Sequence, residues 1–383
     1  MKQKKIVFDK KMIVLLFLLA ISSLFSIYSA SMYLSRTLGN LVLKQTLWYL
    51  IGIILIYIIF KLKINFFIKI TPYLYLFNII LLLGLLLVAP TINGSKCWYV
   101  IEGIGSFQPS EFMKISLILM EAYIIDKFKS KHQNPTLTEE FKLILLTGIV
   151  FLVPSILTFL EPDTGAVIIY FFITISILFI SGIRTRWFIF LTLIIAIFLG
   201  LFFGVYFFNK NLFIKVLGSE FFYRIDRVIN WKNGSGMQLE NSLAAIGSGG
   251  ILGHGFNKTP LYFPEAGTDF IFTVFSSNFG LAGSTFLIII ILLLDIHILN
   301  NGKLSNNNYF KYLTAGIVAI LFYQQIQNIS MTIGLLPITG ITLPFISYGG
   351  SSLLAYMILI GFSMYIYSDN KTHKKRRTMK CTP

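Results

Sequence analysis

The amino-acid sequence predicts an all-α, polytopic membrane protein with about ten transmembrane helices and a large extracytoplasmic loop between the seventh and eighth. Three observations carry that prediction. First, 56% of the 383 residues are hydrophobic and only 13% are charged, with a mean hydropathy of +0.77. Soluble chains carry about 25% charged residues. Second, the charges sit in short clusters between apolar runs, many of about 20 residues, the length that crosses about 30 Å of hydrocarbon as a helix. Third, those runs are unbroken, which fits helices and excludes the alternating pattern of a membrane barrel.

In chain order the spans fall at approximately 12–33, 46–61, 70–90, 110–126, 143–160, 164–182, 188–208, 269–297, 312–334 and 344–368. The first follows the Lys-rich residues 1–11 and passes Ser29-Ala30-Ser31, which imitates a cleavable leader. Its apolar run continues through Tyr33 and nine spans follow, so it reads as a membrane anchor. Most connections are short; the outer segments 91–109 and 209–268 are the exceptions, and such loops are where binding or catalysis concentrates. Residues 1–383 read as one integral-membrane domain, with 369–383 as a basic cytoplasmic tail.

Charge placement sets the orientation. With the N-terminus cytoplasmic, 22 of the 32 Lys and Arg lie in inner segments and nine in outer ones, while Lys114 falls within a span. This is the positive-inside pattern with both termini inside. The formal charge of +16 then reads as contact with anionic membrane lipids, chiefly through Lys374-Lys375-Arg376-Arg377, and not as nucleic-acid binding. Cys97 and Cys381 fall on opposite sides of the membrane and cannot pair within one chain.

Within the long loop, apolar residues from Leu212 to Ile229 recur at helical spacing, with Arg224 and Arg227 among the intervening charges. The pattern predicts one amphipathic helix in the outer interface, which either floats the loop on the bilayer or presents both arginines to a phosphorylated headgroup. The run Gly247-Ser248-Gly249-Gly250-Ile251-Leu252-Gly253-His254-Gly255 lacks the Lys-Ser/Thr ending of a phosphate loop and reads as a flexible, tightly turning segment.

Carboxylates at the outer ends of spans are the candidates for chemistry, since a charge against lipid needs a partner, water or a function. Asp269 stands out. It follows Glu265-Ala266-Gly267-Thr268 and leads into an apolar run. Thr268 is expected to cap that helix, leaving Asp269 in the first turn, where the dipole favours its charge by about 0.3–1 kcal/mol. Partial burial opposes this, and an ionised carboxylate in a poorly solvated pocket suits a general base. The plain alternative is a residue that only stabilises the helix start. In Gln108-Pro109-Ser110-Glu111-Phe112-Met113-Lys114, Pro109 suits a helix start and Glu111 and Lys114 share a helical face. They form either a self-neutralising ion pair or a pyrophosphate-binding pair that Lys96 and Trp98 could join. The four His, at 132, 254, 297 and 373, are scattered and suggest no metal site. From Gly334 to Ser352, Pro337, Pro344 and a Gly-Gly-Ser-Ser run break the helices, for close packing or to line a polar cavity.

That run from Gly334 to Leu354 resembles the signature of the SEDS family (shape, elongation, division and sporulation: RodA, FtsW, SpoVE). So do Ser26 to Ala30, Gln108 to Glu111 with Lys114, Pro162-Asp163 with Gly165, Tyr223 to Arg227, Gln238 with Ser242, Ala245 to Gly250, and Pro264-Glu265 with Thr268 to Phe272. Phe107 and Asn328 to Gly340 are most similar to the RodA branch. The resemblance implies a ten-span fold in the bacterial cytoplasmic (inner) membrane and a peptidoglycan glycosyltransferase. Its substrates would be lipid II and the nascent glycan strand. Asp269 aligns with the family's catalytic Asp, and Lys96, Trp98, Glu111, Lys114, Asp163, Arg224, Arg227, Gln238, Ser242, Glu265 and Ser347 become the expected substrate-binding set. A class B penicillin-binding protein, the transpeptidase, is the implied partner. The resemblance fixes no cofactor and leaves open a divalent cation (Mg or Mn) as an assistant.

The sequence departs from the family pattern in places. Gly267 stands where His is common, Ser277-Asn278 where Glu-Glu is frequent, and Cys97 where Arg usually precedes the Trp. Each change removes a polar or charged group near the expected site. Two rival functions share these residues: a transporter that flips lipid II, and an inactive scaffold for a penicillin-binding protein.

Overall fold

The computed structural model describes residues 7–31, 40–91, 95–101, 105–229, 236–262 and 264–381; the side chains of Ile101, Leu217, Glu220, Arg224, Arg227, Val228 and residues 374–381 lie outside the description. Ten helices have the order and placement of the expected spans: α1 (Lys10–Ser31), α2 (Leu41–Leu62), α3 (Ile64–Val88), α4 (Pro109–Lys131), α5 (Leu137–Leu160), α6 (Thr164–Ile180), α7 (Thr185–Phe208), α11 (Ile271–Lys303), α12 (Asn308–Thr332) and α13 (Gly350–Cys381). Three more, α8 (Lys210–Leu217), α9 (Ser219–Ile229) and α10 (Gly236–Ser248), lie in the long loop. Seven helices are long and apolar enough to cross a membrane by composition alone. The other three are short or polar for a reason. At about 1.5 Å per residue, the 17-residue α6 spans about 25 Å. Helices α4 and α12 carry polar residues because both are buried among other helices, down to Glu121, Lys114, Gln324 and Asn328. Polar groups in a membrane protein survive where protein, and not lipid, surrounds them.

Local chemistry sets the ends. Asn40 caps α2 by accepting from Leu43 N–H at 3.0 Å. Thr136 and Glu139 form a reciprocal capping box on α5. Pro109 opens α4 as expected. In the outer segment 91–109 the chain adds a short antiparallel hairpin, Tyr99–Ile101 against Gly105–Phe107, which the spacing of so few residues did not announce.

The main core joins α1–α6 and α11–α13. Helix α7 stands apart. Only Tyr206 of its 24 residues is buried, and that ring packs on Phe213 of α8 and Phe222 of α9, in a second, separate cluster. Its first turn is tied to α5, where the Trp187 indole donates to Glu140 at 2.9 Å and stacks on Phe141.

One expectation is corrected. The amphipathic stretch 212–229 is two helices, broken at Gly218, whose φ of 88° lies in the left-handed region that glycine tolerates. The glycine run turns tightly, as expected, and the turn has a partner. Its start completes α10, and residues 250–255 form a turn that enters a break in α11 at Gly280 (φ 62°). There His254 and Gly255 N–H donate to the carbonyls of Ser277 and Asn278 at 2.9 and 3.1 Å. Leu281 and Ala282 N–H in turn donate to Gly250 and Ile251 at 2.9 and 3.0 Å. Backbone groups freed by the break are thereby paired inside the bundle.

Candidate active site

Between α12 and α13 the chain runs without regular helix from 333 to 349, yet Ile341, Leu343, Phe345, Ile346 and Ser347 are buried. Non-helical backbone in a membrane bundle needs partners, and side chains of α1, α2 and α12 supply them. Ser23 donates to Ile346 O at 2.8 Å, Gln45 to Ser347 O at 3.1 Å, and the Tyr49 hydroxyl to Phe345 O. Asn328 donates to Ile341 O at 2.7 Å and to Asp269 O at 2.8 Å, so one amide fixes both the re-entrant segment and the backbone of Asp269. Ser347 ties the same two segments, accepting from Leu343 N–H at 2.8 Å and donating to Thr268 O at 2.6 Å.

Asp269 lies in a turn that ends where α11 begins at Ile271. The expected Thr268 cap is not formed: its hydroxyl donates to Glu265, at 2.7 Å to the carboxylate and 3.3 Å to the carbonyl. The left-handed Glu265 (φ 56°) curls the turn back on itself and keeps Thr268 from the helix N–H groups. Asp269 therefore precedes the helix and does not sit in its first turn. Its half-buried carboxylate faces Gly340, where an added Cβ would lie 3.6 Å from Oδ2. Among the described residues no donor or cation pairs with that carboxylate. Burial, with the charge of Glu265 adding to it, raises its pKa to about 7. A carboxylate of this kind accepts a proton near neutral pH.

A second cluster lies at the N-terminal ends of α4 and α6. Asp163 caps α6 through Ala166 N–H at 3.0 Å and accepts from Gln108 Nε2 at 3.1 Å and Ser110 at 3.0 Å. Lys114 and Glu111 pair at 2.6 Å, and the Lys114 side chain is only 2% exposed. This pair is inside the protein, not at the membrane surface. Beyond Glu111, Lys114 Nζ has no acceptor among the described residues, and it lies 5.9 Å from the Tyr356 ring. Gln324 Oε1, Asn328 Oδ1 and Thr339 Oγ1 are also buried without hydrogen-bond partners. Orphaned polar atoms concentrated around one segment are what a polar ligand or water would satisfy.

Residues 339–342 join the two clusters. Gly340 faces Asp269, while Thr339 O and Ile341 lie against Gly165 at the start of α6. Thr342 is 3.1 Å from the Tyr356 hydroxyl, whose ring lies beneath Lys114. A proton acceptor and a buried cation thus flank one short strand of backbone.

The remaining expected residues divide. Lys96 and Trp98 are half-buried on either side of Cys97, and no hydrogen bond or ion pair joins them to either cluster among the described residues. The Cys97 thiol donates to Glu161 O at 3.0 Å, which sets this segment beside Asp163. Ser242 holds α10 in place through Thr273 at 2.6 Å and Thr332 O at 2.8 Å, and Gln238 lies one turn earlier on the same helix face. Glu265 is exposed beside Asp269. Arg224 and Arg227 lie on α9, with side chains outside the described residues.

The departures from pattern are absorbed into the packing. Gly267 O accepts from Tyr348 N–H at 2.9 Å. Ser277 lies 3.3 Å from His254, and Asn278 bridges Thr259 and Ser29 at 3.0 and 2.7 Å. Sequence reasoning missed Asn328, Gln45 and Tyr356, and it counted Glu161 among the carboxylates at span ends without foreseeing its burial. Glu161 is buried with neither carboxylate oxygen hydrogen-bonded, and burial, with Asp163 adding, pushes its pKa up to about 8. Only its place at the outer end of a span hinted at it.

Residues 9–372 match the FTSW_RODA_SPOVE family of cell cycle proteins. The probable peptidoglycan glycosyltransferase FtsW of Coxiella burnetii is 34% identical over 361 residues, covering 90% of this chain and 91% of its own. Stage V sporulation protein E of Bacillus subtilis is 34% identical over 281 residues, 70% of each chain. Among solved structures, a chain of a peptidoglycan synthase complex that coordinates polymerization and crosslinking has a TM-score of 0.78 at 20% identity, covering 96% of this chain and 99% of that one. The rod shape determining protein RodA of Thermus thermophilus has a TM-score of 0.68 at 22% identity, covering 95% and 98%. At those identities the structures speak for the fold.

Proposed function

The chain belongs to the FtsW/RodA/SpoVE family of cell cycle proteins, and from that membership we propose that it is a peptidoglycan glycosyltransferase polymerising lipid II on the outer face of the cytoplasmic membrane. The observation that carries the reading is Asp269: a half-buried, unpaired carboxylate with a pKa near 7, joined through residues 339–342 to the buried Lys114.

The chemistry follows from those groups. Asp269 takes the proton of the acceptor sugar 4-hydroxyl as that oxygen attacks the donor anomeric carbon. The bond from that carbon to the pyrophosphate oxygen breaks, and undecaprenyl pyrophosphate leaves with the bonding electrons. The charge growing on the leaving group needs cations that are present beforehand. Lys114 has unused donors, and Arg224, Arg227 and Lys96 are further basic groups on the outer segments. Asp163 organises Gln108 and Ser110 beside Lys114. Asp269 and Glu265 are the two carboxylates at the reacting turn, and no group of three or more His, Cys, Asp or Glu converges among the described residues. A Mg or Mn ion assisting here would therefore take most of its ligands from the pyrophosphate and water. The charge asymmetry of the sequence supports cytoplasmic termini, which puts Asp269 outside. The likeness to a synthase complex that links polymerization to crosslinking supports a class B penicillin-binding protein as partner.

The test is polymerisation of labelled lipid II by the purified chain with that partner in detergent, where flipping has no meaning. Asp269→Asn is expected to abolish glycan strands. Undiminished polymerisation would reject Asp269 as the base, and the scaffold reading would gain if Asp269→Asn also sustained growth in cells lacking the native copy.

A further inference from the structure

At the basic end of the bundle, opposite the candidate active site, the C-terminal turns of α4 and the N-terminal turns of α5 enclose a groove of ≈ 550 Å³. We propose that this groove binds an anionic phospholipid of the adjacent leaflet.

Its lining is graded along the bilayer normal. At the mouth lie Lys127 and Lys131 of α4 and Lys142 of α5; deeper lie Ile124 on one side and Leu143 and Leu146 on the other. At about 1.5 Å per residue, Leu146 sits about 6 Å deeper than Lys142. A phosphate at the lysines would thus carry its acyl chains onto the apolar wall. The three lysines are exposed, and no ion pair to any of them forms among the described residues. Lys127 has only the Tyr123 hydroxyl at 3.5 Å.

The opposing charge is already engaged. Glu139 accepts from Thr136 N–H at 2.8 Å and from its hydroxyl at 3.1 Å, and pairs with His132 at 3.3 Å. The His132 ring lies 4.7 Å from Phe128 and closes the loop side. Arg184, from the next loop, is held by Pro135 O at 3.0 Å and by Glu140, so it is not counted among the groove's cations. The groove keeps a net positive charge over an apolar floor, which fits a lipid phosphate and neither a neutral lipid nor a free phosphate.

The full chain would be reconstituted in nanodiscs of mixed phosphatidylglycerol and phosphatidylcholine, and the lipids it retains counted by native mass spectrometry. Phosphatidylglycerol is expected in excess. The K127Q/K131Q/K142Q variant should retain it about tenfold less or worse, while K61Q/K69Q/K303Q, which removes equal charge at the same end, should stay within about twofold. Leu146→Ser should also lower retention with every charge in place, and millimolar sn-glycerol 3-phosphate should not displace the lipid. Equal losses in the two triple variants would overturn the proposal in favour of diffuse surface attraction. Equal retention of phosphatidylcholine, or displacement by glycerol 3-phosphate, would overturn it as well. If the triple variant unfolds, the single Lys142→Gln with Leu146→Ser decides.

Discussion

A carboxylate set in a turn before a membrane helix, facing a glycine, has little to hold its charge. Asp269 is in that position, and the nearby Glu265 makes ionisation harder still. Polymerisation should therefore rise with pH through about 7 as Asp269 loses its proton. Glu265→Gln removes the neighbouring charge and should move that limb to lower pH, measured as kcat/KM for lipid II; an unmoved limb would mean another group titrates. The sign for stability is opposite. A carboxyl raised from 3.8 in the unfolded chain to about 7 when folded destabilises the fold progressively between those values, and fully above the higher one. Asp269→Asn should then melt no lower than the parent at pH 8, while losing activity. Lys114 calls for a different design, because removing one member of a buried pair leaves the other uncompensated, at a cost of about 3–5 kcal/mol. Lys114→Met should lower Tm, and adding Glu111→Gln should restore it. Polymerisation that stays low in the double variant separates a phosphate-binding role from a packing role. Asp269 was legible because it stands at the start of an apolar run, within a block that resembles the family's. The burial of Glu161 was not, since it comes from a hairpin and a cysteine that approach it only in the fold.

Helices were legible where length and apolarity agree, and one start where Pro109 stands; the starts that Asn40, Thr136 and Asp163 cap lie in polar stretches that hydropathy passes over. The break in α11 was not. Phe279-Gly280-Leu281 sits inside an apolar run, and a helix pattern passes over one glycine without comment. What breaks the helix is a partner from elsewhere in the chain, the turn at 250–255, whose backbone occupies the space that a side chain at Gly280 would need. An added Cβ there would overlap Ile251 and Gly253, and at φ 62° the backbone itself disfavours any L side chain. Gly280→Ala should therefore expel the turn, and with it the grip of Asn278 on Thr259 and Ser29. Limited proteolysis should find new cleavage within 249–262 while α4 and α6 stay resistant; a variant as protected as the parent would show that the break is set by something other than that turn.

The whole molecule has two cores of unequal size. The larger buries the re-entrant segment and Lys114 and half-buries Asp269. The smaller is an aromatic cluster built on Tyr206, Phe213 and Phe222, which seats the helix bearing Arg224 and Arg227 and hangs on a helix tied to the bundle chiefly at its foot. Composition revealed the long loop but not this division, because aromatic residues that pack on one another and aromatic residues that face lipid look alike in sequence. Separate cores imply separable stabilities. Phe213 is 1% exposed, with ring neighbours Phe202 and Tyr206 at 5.2 and 5.5 Å. Phe213→Ala should remove about 3–5 kcal/mol from a cluster too small to absorb the loss. The arm should then open locally, with faster hydrogen exchange across 210–229, while the main thermal transition stays within about 2 °C of the parent. By contrast, Leu313→Ala, in the large core, should lower that transition and leave exchange in the arm unchanged. If the arm supplies cations for the departing pyrophosphate, Phe213→Ala should also slow polymerisation with Asp269 and Lys114 still in place. A single shared transition that falls for both variants would instead mean that the arm and the bundle fold as one unit.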